Sequence, residues 1–202
     1  MMKTTRRLFL ACALLCMALS AQAQHRPITH HAFAGLGLLI DSEGSHSNVG
    51  ITAKAGYGMN IRLSERWSVM PGVGVREMTE RPFYDEDGGD DDHFVFLDVP
   101  VMLQYHLSAT PDGWMFGLGP VFSFCLDNEH HYVNAIPDGY YSEQNKIHTF
   151  SVGVQSGVAY QFKHFRIGIE GNIGLADIAR KDKRFTESKH LHDVMLVVGY
   201  RF

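Results

Sequence analysis

Residues 49–64 alternate without exception. Val49, Ile51, Ala53, Ala55, Tyr57, Met59, Ile61 and Leu63 are apolar or aromatic, and the residues between them are polar or glycine. Successive side chains of a strand point to opposite faces, so the pattern specifies one long strand with a greasy face and a polar face. A helix would need its apolar positions spaced at about 3.6 residues. The same alternation returns over 28–40, 67–78, 93–107, 114–126, 147–162, 165–175 and 191–202, giving eight strands of 11 to 16 residues. Strands of soluble proteins average about five or six residues, whereas a strand that crosses a bilayer needs about nine to eleven.

The connections alternate as well. Residues 64–66, 108–113 and 163–164 are short, and residues 41–48, 77–92, 127–146 and 176–190 are longer. Short turns on one rim, long loops on the other and an even strand number are the pattern of an outer-membrane barrel. The expected fold is all-β: an eight-stranded antiparallel up-and-down transmembrane β-barrel, with both termini on the short-turn, periplasmic side.

Period alone does not say which face is outside. In a soluble carrier barrel the polar face meets water and carries Lys, Glu and Thr. Here that face is rich in glycine, including Gly35, Gly37, Gly56, Gly58, Gly72, Gly74, Gly117, Gly119, Gly153, Gly157, Gly168 and Gly174. Glycine on an exposed strand face weakens the strand for no gain. Inside a narrow barrel, small residues leave room for the few large ones. Trp67, Tyr105, Trp114, Phe116, Phe150, Phe162, Phe165, Tyr200 and Phe202 fall on the other face, most of them beside the short turns, as an interfacial aromatic girdle requires. The apolar face is therefore read as lipid-facing.

The N-terminus reads as an address. Lys3, Arg6 and Arg7 precede twelve apolar residues, Leu8 to Leu19, and Ala21-Gln22-Ala23 supplies a cleavage site. Twelve helical residues cover only about 18 Å of a core roughly 30 Å thick, which disfavours a membrane anchor. The expected organisation is residues 1–23 as a cleaved signal peptide and 24–202 as the barrel domain. Cys12 and Cys16 leave with the signal, so Cys125 stands alone and no internal disulfide forms. Loss of Lys3, Arg6 and Arg7 leaves 15 Lys+Arg against 22 Asp+Glu, a formal charge of −7. That balance does not suit nucleic acid.

Phe96-Leu97-Asp98-Val99-Pro100-Val101-Met102-Leu103-Gln104-Tyr105 resembles the aromatic-Leu-acid-apolar-Pro-apolar-x-Leu-x-Tyr strand of PorT-like outer-membrane β-barrel proteins. Val198-Gly199-Tyr200-Arg201-Phe202 is similar to the C-terminal signal of barrels, and the Ala-Gln-Ala-Gln end of the signal peptide also fits. The resemblance implies insertion by the barrel assembly machinery and allows a secretion or envelope protein as partner. Contact with outer-membrane lipids and lipopolysaccharide follows from the location.

Several groups invite a chemical reading. Asp85, Glu86, Asp87, Asp90, Asp91 and Asp92 surround Gly88-Gly89; such oxygens suit Ca²⁺, but the spacing is not that of an EF-hand, and a solvated acidic loop is the plainer reading. His106 and Ser108 raise the alternative of a membrane-embedded lipid hydrolase, although both fall at a short-turn end, away from the outer leaflet. His46 lies between two serines without an acidic partner. His30-His31 and His130-His131 are adjacent and point opposite ways on a strand, whereas His190 and His192 share a face. Lys54, Arg62, Arg76, Arg166, Arg201, Asp98, Glu170 and Asp193 face inward by alternation and are read as an interior ion-pair network. No catalytic, cofactor-binding or metal residue is assigned. The expected function is that of a non-enzymatic barrel with a filled interior and four extracellular loops for lipid, ligand or protein contact.

Overall fold

The structure, a computed structural model, describes residues 28–43, 46–80, 92–110, 112–129, 131–136, 139–144, 148–178 and 188–202. The expected signal peptide, His130 and residues 85–91 of the acidic loop lie outside the described residues.

Among the described residues ten strands form in chain order: β1 (Ile28–Glu43), β2 (His46–Arg62), β3 (Trp67–Glu80), β4 (Asp92–His106), β5 (Gly113–Glu129), β6 (His131–Ile136), β7 (Gly139–Gln144), β8 (Phe150–Phe162), β9 (Phe165–Gly174) and β10 (Lys189–Arg201). Eight of them close an antiparallel barrel in the order β1-β2-β3-β4-β5-β8-β9-β10. The closing seam pairs β1 with β10 from His31 opposite Arg201 to Glu43 opposite Lys189. Closure matters because an open strand edge has no hydrogen-bond partner in hydrocarbon. No helix among the described residues is long and apolar enough to cross a membrane; the crossing falls to the strands.

The structure differs from the sequence reading in several details. The expected loop over 41–48 is mostly strand, because β1 runs to Glu43 and β2 starts at His46, and β3 and β10 reach into the expected loops as far as Glu80 and Lys189. The long connection over 127–146 contains a two-stranded ribbon, β6 with β7, paired from His131–Gln144 to Ile136–Gly139. The strand expected over 147–162 starts at Phe150. Alternation is uninformative across the ribbon because Tyr140 and Tyr141 are adjacent, as are Ala135 and Ile136.

The faces are as alternation assigns them. Leu36, Ile51, Val75, Leu103, Leu118, Tyr160, Ile169 and Leu196, spread over all eight barrel strands, are exposed. A soluble monomer does not carry so continuous an apolar surface. At the turn end, aromatic rings pair around the rim: Trp67 with Tyr105 at 4.9 Å, Trp114 with Tyr160 at 5.3 Å and Phe165 with Tyr200 at 5.5 Å.

The inward glycines do more than leave room. A Cβ built on Gly37 would run into the carbonyl oxygen of Val194, and one on Gly119 into that of Val101. At these positions neighbouring backbones lie where a side chain would stand, and only glycine permits that approach.

Candidate functional site

The interior is the candidate site, and it is organised in layers. Nearest the loops, Leu39, Met78, Phe94, Phe96 and Leu191 form an apolar cluster with Ile178. Ile178 comes from the segment after β9. Its amide donates to the carbonyl of Lys189 at 3.0 Å, and its carbonyl accepts from the His148 amide at 2.9 Å, so it is pinned into the barrel mouth. Beside this cluster Lys189 Nζ lies 2.7 Å from Asp41 Oδ2, with both side chains almost fully buried.

At mid-barrel Arg76 is the hub. Its Nε donates to Asp98 Oδ2 at 2.6 Å and its Nη1 to Asp193 Oδ2 at 2.5 Å. Nη2 reaches Asp98 Oδ1 and Ser123 Oγ, each at 3.2 Å. Ser123 Oγ donates to Asp98 Oδ1 at 2.5 Å, and Asn172 Nδ2 to Asp193 Oδ1 at 2.6 Å. Four strands thus meet on one guanidinium, and β9 joins them through Asp193. A second group lies beside it: Lys54 donates to Glu170, Gln155 Nε2 donates to the same Oε2 at 2.6 Å, and Arg166 stands 3.6 Å from Oε1. Buried charges persist only when paired and hydrogen-bonded in this way.

Toward the turns come Met70, Met102 and Met115, all buried. Beyond them Asn60 Nδ2 donates to Gln104 Oε1 at 2.7 Å, and Ser68 Oγ lies 2.8 Å from His106 Nε2. A recess of about 290 Å³ then opens at the turn end, lined by Thr29, His31, Asn60, Arg62, His106, Met115, Gln161 and Arg201.

The inward charge set of the sequence reading is all in place: Lys54, Arg76, Arg166, Asp98, Glu170 and Asp193 are in the two networks, and Arg62 and Arg201 line the recess. Asp41 and Lys189 fall outside the charge set that alternation gives, because it places both in loops. Their parity with Leu39 and Asp193, continued two and four positions along each strand, was the available signal. The methionines and Phe94 and Phe96 were also missed, since they sit on the face that looked polar.

His106 faces inward as expected, but its partner is Ser68, while Ser108 Oγ pairs with Thr110 Oγ1 at 2.7 Å. Ser68 is fully buried among Asn60, Gln104 and His106 and does not line the recess. No carboxylate among its described partners orients His106, so the pair lacks the third group of a hydrolytic relay. His30 turns outward and stacks on Tyr57 at 5.9 Å, while His31 turns inward, as adjacency requires. His190 and His192 do share a face, their rings 6.4 Å apart. Among the described residues no three His, Cys, Asp or Glu side chains converge as a metal site. Cys125 is a free thiol, within 3.3 Å of the Asp127 carbonyl.

A closed barrel with lipid-compatible outer surface and a polar, charge-paired interior is a transmembrane β-barrel of the outer-membrane class. The sequence model of the outer membrane protein beta-barrel domain matches residues 35–180, and the chain belongs to that family. Family and fold together indicate the bacterial outer membrane. No curated protein matches the chain. Among solved structures it is similar in fold to Neisserial surface protein A, at 13% identity and a TM-score of 0.54, over 87% of this chain and 99% of that one. The outer membrane protein OprG from Pseudomonas aeruginosa matches at 15% identity and a TM-score of 0.44, over 88% of this chain and 97% of that one. The attachment invasion locus protein Ail of Yersinia pestis matches at 12% and 0.45, over 85% and 98%.

Proposed function

We propose that the protein is a non-enzymatic outer-membrane barrel whose extracellular loops make its contacts, with lipid, ligand or a secretion or envelope protein. The observation that carries this reading is the Arg76 hub. It joins β3, β4, β5 and β10, and through Asp193 also β9, across the interior. Eight strands give an interior that side chains fill, so the contact surface is left to the loops. The PorT-like branch is supported by the β4 motif, in which Asp98 is the acid that Arg76 clasps. In the same reading residues 1–23 are removed on export and the barrel assembly machinery recognises the segment ending at Phe202.

The test has two arms. In planar bilayers the folded protein is expected to show no large stable conductance; steady porin-like steps would overturn the filled interior. Intact barrel captured from native membranes is expected to bring partner protein or lipopolysaccharide with it, and shortening residues 81–91 and 179–187 is expected to abolish that. Equal capture by the shortened barrel would overturn the assignment to the loops.

A further inference from the structure

We propose that the recess at the turn end binds an oxyanion of the phosphate class, one that carries a hydrogen-bond donor as well as its negative charge. The charge arrangement points to it first. Asp41 matches Lys189 at the loop end, and two aspartates surround Arg76 at mid-barrel. One glutamate then serves both Lys54 and Arg166. In the recess, Arg62 and Arg201 face inward and no acid is among the described lining residues. Positive charge therefore accumulates toward this end.

The partners of these groups sharpen the inference. Arg62 Nη2 donates to the carbonyls of Glu65 at 3.2 Å and Thr110 at 3.5 Å, and Arg201 lies 3.5 Å from Asp112 at the rim. Arg62 Nε is buried with no partner. His31 Nδ1 and Gln161 Oε1 are likewise buried and unpartnered, and both residues line the recess. Gln161 Nε2 is committed to the carbonyls of Lys163 at 2.9 Å and Phe165 at 3.0 Å, which fixes its Oε1 as the free acceptor. A buried polar atom without a partner is costly. Water satisfies single donors but does not offset the Arg62 guanidinium, whose described partners are carbonyls. An anion satisfies both needs, and charge-assisted bonds to guanidinium are among the stronger ones. The Gln161 acceptor adds a requirement: the anion must also donate. Inorganic phosphate keeps a proton at neutral pH, and a phosphomonoester of a polyol brings hydroxyls; sulfate has neither.

The full-length barrel, folded in detergent at neutral pH and low salt, is titrated calorimetrically with inorganic phosphate, glycerol 3-phosphate and sulfate. Saturable phosphate binding is expected, with sulfate roughly tenfold weaker. Gln161→Leu is expected to remove that preference, and Arg62→Gln to weaken all three anions by about tenfold or more. Thr29→Glu sets a carboxylate in the recess without touching either arginine, and it is expected to abolish binding. Heat-modifiable gel migration confirms that each variant is folded. Glycerol 3-phosphate binding tighter than phosphate marks a phosphomonoester as the ligand, and the reverse order marks free phosphate; either supports the proposal. No saturable binding, or binding unchanged by Arg62→Gln and Thr29→Glu in folded protein, would overturn it.

Discussion

At the loop end the barrel is stoppered by Leu39, Met78, Phe94, Phe96, Leu191 and Ile178, with the last delivered by a segment between strands. At the turn end the same eight strands enclose Asn60, Gln104, Ser68 and His106 and then a water-accessible recess with two arginines. Both ends lie above and below one ion-pair belt. The difference teaches that strand alternation assigns only inside and outside. What fills the inside varies with height: a network of paired charge spans the middle layer, whereas the loop end sets one buried pair, Lys189 with Asp41, beside an apolar plug.

The largest effect is expected at that shared layer. Arg76→Leu leaves Asp98 and Asp193 buried without their cation, so it is expected to cost about 3–5 kcal/mol. Denaturant titration of the barrel in detergent or lipid vesicles measures this. A loss near zero would mean that the two ends hold the barrel without the belt.

A smaller pair of substitutions separates the ends. Leu39→Asn places an amide in the apolar plug and is expected to cost about 3 kcal/mol. Met115→Gln places one at the wall of the recess, where the longer polar group can be hydrated, and is expected to cost about 1 kcal/mol or less. Equal losses in the same titration would erase the distinction between a dry end and a wet one.

The smallest folded-state effect is expected at the rim. Phe202 donates its amide to the His30 carbonyl at 3.0 Å, and its ring lies 5.6 Å from Tyr200 with most of its surface exposed. Its deletion is expected to change barrel stability by about 1 kcal/mol or less, yet to leave unfolded chain in the periplasm. Normal abundance and normal heat-modifiable migration of the deletion variant in cells would contradict a role for this end in assembly.

Most of the fold was legible because each barrel strand obeys one period over more residues than a soluble strand has. Glycine on the polar face decided which side was in. The mid-barrel network was legible for the same reason: Lys54, Arg76, Asp98, Glu170 and Asp193 are lone charges at inward parity. The plug was not, because there both faces are apolar. In Leu38-Leu39-Ile40 and Phe94-Val95-Phe96-Leu97 parity turns Leu39, Phe94 and Phe96 inward, but period alone does not say that these inward residues gather with Ile178 into one plug. Ile178 lies outside any strand, so no period applies to it. The recess depends on Gln161, Thr29 and His31, polar residues at strand ends whose convergence requires the closed register of β1 with β10.

The central claim is that the apolar face meets lipid. It is tested most directly at Val99, which lies near the middle of β4 beside inward-facing Asp98. With Trp67 and Trp114 replaced by Phe, Val99→Trp becomes the single tryptophan of the barrel. In vesicles of lipids brominated at mid-chain its fluorescence is expected to be strongly quenched, with little quenching by aqueous acrylamide. Fluorescence unaffected by the bromines would contradict the account, since it would turn the apolar face away from the bilayer.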